Sequence, residues 1–124
     1  MTITSHTKNE IQIAEVTSDK LIIETAEDGL DLMGNLYYQG FDSIIIHEEN
    51  LTPSFFDLKT GIAGEILQKF SNYRMRLAII GNFEKYPAKS IQDFIFESNK
   101  VGRINFLGSV EEGLERLPKG YLSP

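Results

Sequence analysis

The sequence predicts a single α/β domain on a mixed, mostly parallel sheet. Three short apolar runs, "DSIIIH", "MRLAIIG" and "RINFLG", have the unbroken character of strands covered on both faces. Segments of helical period separate them, and that alternation implies parallel strands joined by right-handed crossovers. The chain has 124 residues, 41% of them hydrophobic, which suits one domain with a real core.

The elements follow in order. Residues 1–9 are polar and aperiodic and are expected to form a flexible tail. The domain proper is placed over 10–118, with a closing tail over 119–124. "IQIAEV" alternates at Ile11, Ile13 and Val16, and "LIIE" follows after "TSD", so the two read as a hairpin. In "TAEDGLDLMGNLYYQG", Thr25 and Asp28 make a capping box, Leu30, Met33 and Tyr37 an apolar stripe, and Gly40 a stop. After the first apolar strand comes "LTPSFFDLKTGIAGEILQKF", treated below. "MRLAIIG" leads through "NFEKYPAKS" to a helix with Ile91, Phe94 and Ile95 on its core face. After "RINFLG", Ser109 and Glu112 cap a short helix carrying Val110, Leu114 and Leu117, which Pro118 stops. The resulting order is β-β-α-β-α-β-α-β-α.

Composition removes several function classes. With no cysteine there is no disulfide, thiolate nucleophile or zinc–thiolate site. A net charge of −6 and scattered basic residues argue against nucleic acid as a partner. No apolar run is long enough to span a membrane, and the polar start carries no secretory signal, so a cytoplasmic location is expected. No P-loop, G-x-G-x-x-G or G-x-S-x-G motif is present, and no nucleophile–base–orienter set can be assembled. The expectation is a non-catalytic protein without a cofactor or metal.

In a parallel sheet, the loops leaving the carboxyl ends of the strands share one edge, where ligands tend to bind. Here these loops are 47–54, 82–89 and 108–110, whereas 40–43, 71–75 and "ESNKVG" belong to the opposite edge.

Residues 53–70 admit two readings. In one, Ser54 caps a continuous helix with Asp57 at its third position, Phe55, Ile62, Ile66 and Phe70 form one stripe, and Gly61 and Gly64 let another backbone approach closely. In the other, "SFFDL" is a separate turn and Thr60 caps a helix starting at Gly61, its hydroxyl in a field that welcomes an anion.

The element order resembles that of the STAS domain of sulphate transporters and anti-sigma factor antagonists. In the antagonists, Asp-Ser-Ser-Gly opens a helix after a strand and a short loop, and the serine before the glycine is phosphorylated by a partner that is both anti-sigma factor and kinase. "LTPSFFD" followed by "KTGIAGEIL" is similar, with Leu58 and Lys59 setting Asp57 and Thr60 one residue further apart. The resemblance implies a protein partner of kinase-like character, with Thr60 as phosphoacceptor and Gly61 as its glycine. Over nearly the whole chain, "FFDLKTGIAGEILQKFSNYRMRLAIIGNF" and "FIFESN" also resemble a small bacterial family described only as a domain of unknown function.

Other residues carry weaker signals. Asp57, Lys59, Gly64, Asn82, Lys85 and Tyr86 are expected to share a partner or ligand edge with Thr60 and Gly61, with Lys89 nearby. His47 beside Glu48 and Glu49 looks like half a metal site, although a solvated acidic loop is the reading preferred for it. Glu97, Ser98 and Asn99 form a second surface candidate, or simply a helix-closing turn before Gly102. The expected function is regulation through protein–protein contact, with a homodimer left open. The alternative is a nucleotide- or lipid-binding domain without catalysis, in a pocket lined by Phe55, Phe56, Ile62 and Phe83.

Overall fold

A computed structural model describes residues 1–119. Its sheet has five strands: β1 (Thr2–Lys8), β2 (Ile11–Thr17), β3 (Ser43–His47), β4 (Arg76–Ile80) and β5 (Ile104–Leu107). Helices α1 (Ala26–Tyr38), α2 (Ile62–Tyr73), α3 (Lys89–Val101) and α4 (Val110–Arg116) follow β2, β3, β4 and β5 in turn. The strands lie side by side in sequence order, with β1 antiparallel to β2 and every other pair parallel.

This order fixes the layers. Successive right-handed crossovers that all step the same way leave their helices on one face of the sheet. That face buries Ala14, Ile44, Ile46, Leu77, Ile79 and Phe106 beneath α1, α2 and α3. The alternate residues Ile13, Ile45, Ala78, Ile80 and Leu107 point the other way and meet α4 with Leu117. Both faces of β3 and β4 are thereby covered, which explains why these strands read as unbroken apolar runs.

The hairpin differs from the expected one. Residues 2–8 form β1 rather than a flexible tail, and they pair with β2 over its full length. The turn places Asn9 and Glu10 at φ of 50° and 68°, the left-handed pair that suits a two-residue hairpin loop. "LIIE" is not the partner of β2. Ile22 and Ile23 donate their N–H groups to the Asn50 carbonyl, Thr52 N–H donates to Ile23, and Ile23 is buried. The Asn50 side chain holds the same join, donating from Nδ2 to the Ser18 and Lys20 carbonyls at 2.9 Å each. The expected closing tail beyond residue 119 lies outside the described residues.

The caps read from the sequence are in place. Thr25 Oγ1 accepts from Asp28 N–H while the Asp28 carboxylate accepts from Thr25 N–H, each at 3.1 Å, and Ser109 Oγ accepts from Glu112 N–H. The α1 stripe is offset from the expected one: Gly29, Leu32, Met33 and Leu36 are buried, while Tyr37 is exposed and makes an edge contact with Tyr73 of α2. A Cβ at position 29 would lie 3.0 Å from Ile66, so the close helix–helix approach lies at Gly29 and not at Gly61 or Gly64.

Candidate functional site

The chain between β3 and α2 is two short 3-10 turns, Pro53–Phe56 and Leu58–Thr60, followed by Gly61. The helix therefore begins at Ile62, and the separate-turn reading of this stretch fits, with Gly61 rather than Thr60 as cap. Gly61 sits at φ 79°, a conformation that costs other residues about 1–2 kcal/mol. Gly64 has a different character: it is exposed on α2, and nothing lies within 4 Å of where its Cβ would be.

Thr60 is exposed at the start of α2. Its hydroxyl lies 2.8 Å from the Ser54 carbonyl and 2.9 Å from that of Asp57, so one proton is shared between two acceptors. The same oxygen accepts from Ile62 N–H at 3.3 Å, and the Asp57 carboxylate accepts from Lys59 N–H at 3.1 Å. Thr60 thus ties both turns to the first residue of the helix, and the turns hold Phe55 and Phe56 in the core.

Phe56 joins this loop to the one after β4. Its ring stacks on Tyr86 at 4.2 Å with 10° between planes, and Phe83 lies 6.0 Å away. Asn82 caps the Phe83–Lys85 turn by accepting from Glu84 N–H, and Gln92 of α3 donates to the Phe83 and Tyr86 carbonyls. Beneath lies Glu48, which is 9% exposed and accepts from the Tyr86 hydroxyl and from Lys85 Nζ at 2.8 Å. Gly81 makes room for it, since a Cβ there would fall 2.6 Å from Glu48 Oε1 and 2.7 Å from its Cβ. Burial first, then the hydrogen bond to Glu48 and its charge, push the Tyr86 phenol well above its ordinary range, so it stays a donor. One edge thus brings Thr60, Asp57 and Lys59 into one connected loop system with Asn82, Lys85 and Tyr86. Phe56 packs its ring against both Phe55 and Phe83, and all three rings meet Phe106.

Other candidates fall elsewhere. His47 faces Glu15 rather than the acidic pair that follows it: its Nε2 is 3.9 Å from Glu15 Oε2, while His6 Nε2 approaches Glu15 Oε1 at 2.9 Å. Among the described residues, no group of three or more His, Asp or Glu side chains is placed to hold a metal ion. Glu97 is exposed near Lys100, and Ser98 is buried. Asn99 does not close its helix, which continues to Val101 and ends on left-handed Gly102. Its side chain instead accepts from Phe106 N–H at 2.7 Å and donates to the Phe106 carbonyl at 3.2 Å, pairing with the outer edge of β5 as a neighbouring strand would.

Sequence reasoning missed the polar group that Asn99 helps to build. Arg76 is buried at the start of β4 and donates to the carbonyls of Gly102 and Leu117 at 2.8 and 2.7 Å. Asn105 donates to Leu77 and Gly102, and its Oδ1 accepts from Arg116 Nε at 2.7 Å, while Arg116 also donates to the Asn99 carbonyl. Nothing in the local pattern marks these residues, because most of their partners are backbone groups distant in sequence.

No helix of the described residues is long and apolar enough to cross a membrane. No curated protein and no solved structure matches the chain. One family model matches, described as a domain of unknown function (DUF4180), and it spans residues 8–117, from the end of β1 to the residue after α4. The chain belongs to this family, DUF4180.

Proposed function

We propose that the protein is a non-catalytic regulatory module of STAS type, which docks a protein partner through the carboxyl edge of its parallel strands and is switched by phosphorylation of Thr60. The observation that carries this reading is the position of Thr60: exposed, directly before left-handed Gly61 and the first turn of α2, with its hydroxyl tying two turns together. A kinase-like partner can reach it from solvent. Esterification replaces the shared proton by a group of about −1.5 to −2 charge, releasing the Ser54 and Asp57 carbonyls. That charge suits a helix start and adds to Asp57 beside it, with Lys59 as the adjacent cation. The same step therefore changes the surface charge and loosens the turns that seat Phe55 and Phe56. Open space over Gly64 gives a partner close access to α2, and Asn82 and Lys85 flank the surface across the Phe56–Tyr86 stack. The alternative, a nucleotide- or lipid-binding pocket between the same aromatic rings, draws little support where the rings pack on one another.

The test is peptide mapping by mass spectrometry on the endogenous protein, isolated with phosphatases inhibited. Phosphate on Thr60 is expected, and Thr60→Glu is expected to change partner binding while the domain stays folded. Recovery of the Thr60 peptide only in unmodified form, across growth conditions, would overturn the reading.

A further inference from the structure

Beside the outer edge of β5 lies a second cluster of charged side chains. A cavity of about 360 Å³ opens between the end of α3, α4 and β5, and its lining includes Arg76, Lys100, Arg116 and Lys119. A protein of net charge −6 thus gathers four of its 12 basic residues around one cavity. Among the described residues Glu112 and Glu115 also line it, and Val101 and Leu107 supply an apolar wall. The volume lies in the lower part of the range of about 300–1,000 Å³ typical of small-molecule sites.

The guanidinium of Arg116 is held before any ligand arrives. Its Nε donates to Asn105 Oδ1 at 2.7 Å and a terminal nitrogen donates to the Asn99 carbonyl, both neutral oxygens. Among the described residues Arg116 enters no ion pair, although its side chain is half-buried. A cation drawn partly out of water and met only by neutral acceptors gains from an anion beside it. Arg76 is fixed in the adjacent wall by the carbonyls of Gly102 and Leu117. Lys100 and Lys119 are exposed and can close over a bound group.

We infer that this cavity binds a small soluble phosphomonoester. The phosphate, with about two negative charges at neutral pH, offers the half-buried Arg116 guanidinium the anion its neutral acceptors do not supply. Arg116, Lys100 and Lys119 take the phosphate, Glu112 and Glu115 accept hydrogen bonds from hydroxyl groups of the organic part, and Val101 and Leu107 meet its carbon skeleton. This is independent of the Thr60 reading, since the two sites share no residue.

The experiment is a titration of the ¹⁵N-labelled full chain with glycerol 3-phosphate, followed by amide shifts. Glycerol, and sodium chloride at matched ionic strength, are the controls. Saturable shifts confined to residues 76, 100–102, 107, 112–117 and 119 are expected. The exposed pair Lys100→Gln and Lys119→Gln, which leaves the Asn99–Asn105–Arg116 contacts intact, is expected to weaken binding about tenfold. Arg116→Gln is expected to weaken it further. Shifts that merely follow ionic strength, an equal response to glycerol, or unchanged affinity in the double lysine variant would overturn the proposal. Sedimentation with phosphatidylcholine vesicles containing phosphatidic acid, with no response to glycerol 3-phosphate, would also overturn it in favour of a lipid headgroup.

Discussion

At the carboxyl edge of the sheet, buried Glu48 meets a tyrosine hydroxyl and a lysine ammonium, whereas at the amino edge buried Arg76 meets carbonyls near the ends of α3 and α4. The carboxyl edge joins side chain to side chain across two loops, through a partner that is itself partly exposed. The amino edge joins side chains mostly to backbone among regular elements, with Asn105 and Asn99 completing the set and one side-chain pair, Arg116–Asn105, among them. The difference teaches where the fold can give. Removing a side chain at the carboxyl edge frees a loop, while removing one at the amino edge takes a charged donor from buried carbonyls of the framework.

The largest expected effect follows from that contrast. Arg76→Met should cost on the order of 3 kcal/mol in urea unfolding, because the Gly102 and Leu117 carbonyls lose a charged donor in a buried setting. A loss no greater than that of an exposed arginine would erase the distinction between the edges. Gly81→Ala should come next, at about 2 kcal/mol, since the added methyl meets the Glu48 side chain and either that carboxylate or β4 must move.

Tyr86→Phe keeps the ring over Phe56 but leaves Glu48 without its hydroxyl donor, and about 1.5 kcal/mol should be lost. The same residue gives a pH signature. The folded-state phenol is raised above its ordinary value, so the stability it contributes is fully present below about pH 10 and is lost as pH rises further, where the unfolded chain ionises first. Unfolding curves against pH should show this alkaline loss in the wild type and a smaller one in Tyr86→Phe.

The smallest effects separate the two glycines. Gly61→Ala should destabilise by about 1 kcal/mol because of its left-handed backbone, whereas Gly64→Ala, in open space on a helix, should stabilise by about 0.5–1 kcal/mol. Equal signs for the two substitutions would contradict the different roles assigned here.

Much of the framework was legible because its signals are local. The buried strands announce themselves as unbroken apolar runs, and Thr25–Asp28 and Ser109–Glu112 cap their helices through partners three residues away. β1 was missed because its residues are almost all exposed and polar, and its turn, Asn9-Glu10, lacks the glycine that marks most such hairpins. Its pairing is set by backbone bonds to β2 rather than by apolar side chains. The edge loops were placed correctly by topology, and the left-handed Gly61 accounts for one of the paired glycines. Asn50, Asn99 and Asn105 were illegible as joints because an amide bonding distant backbone leaves no periodic trace. His6 was set aside with its segment, which hid its approach to Glu15.

The central claim is that the Thr60 hydroxyl holds the loop that seats Phe55 and Phe56, so that a charge there changes the surface offered to a partner. Amide hydrogen exchange on the wild type and on Thr60→Glu measures this directly. Faster exchange is expected at Asp57, at position 60 and at Gly61, whose N–H groups close the two turns, with protection in Leu77–Ile80 unchanged. Identical exchange across residues 53–61 in the two proteins would contradict it.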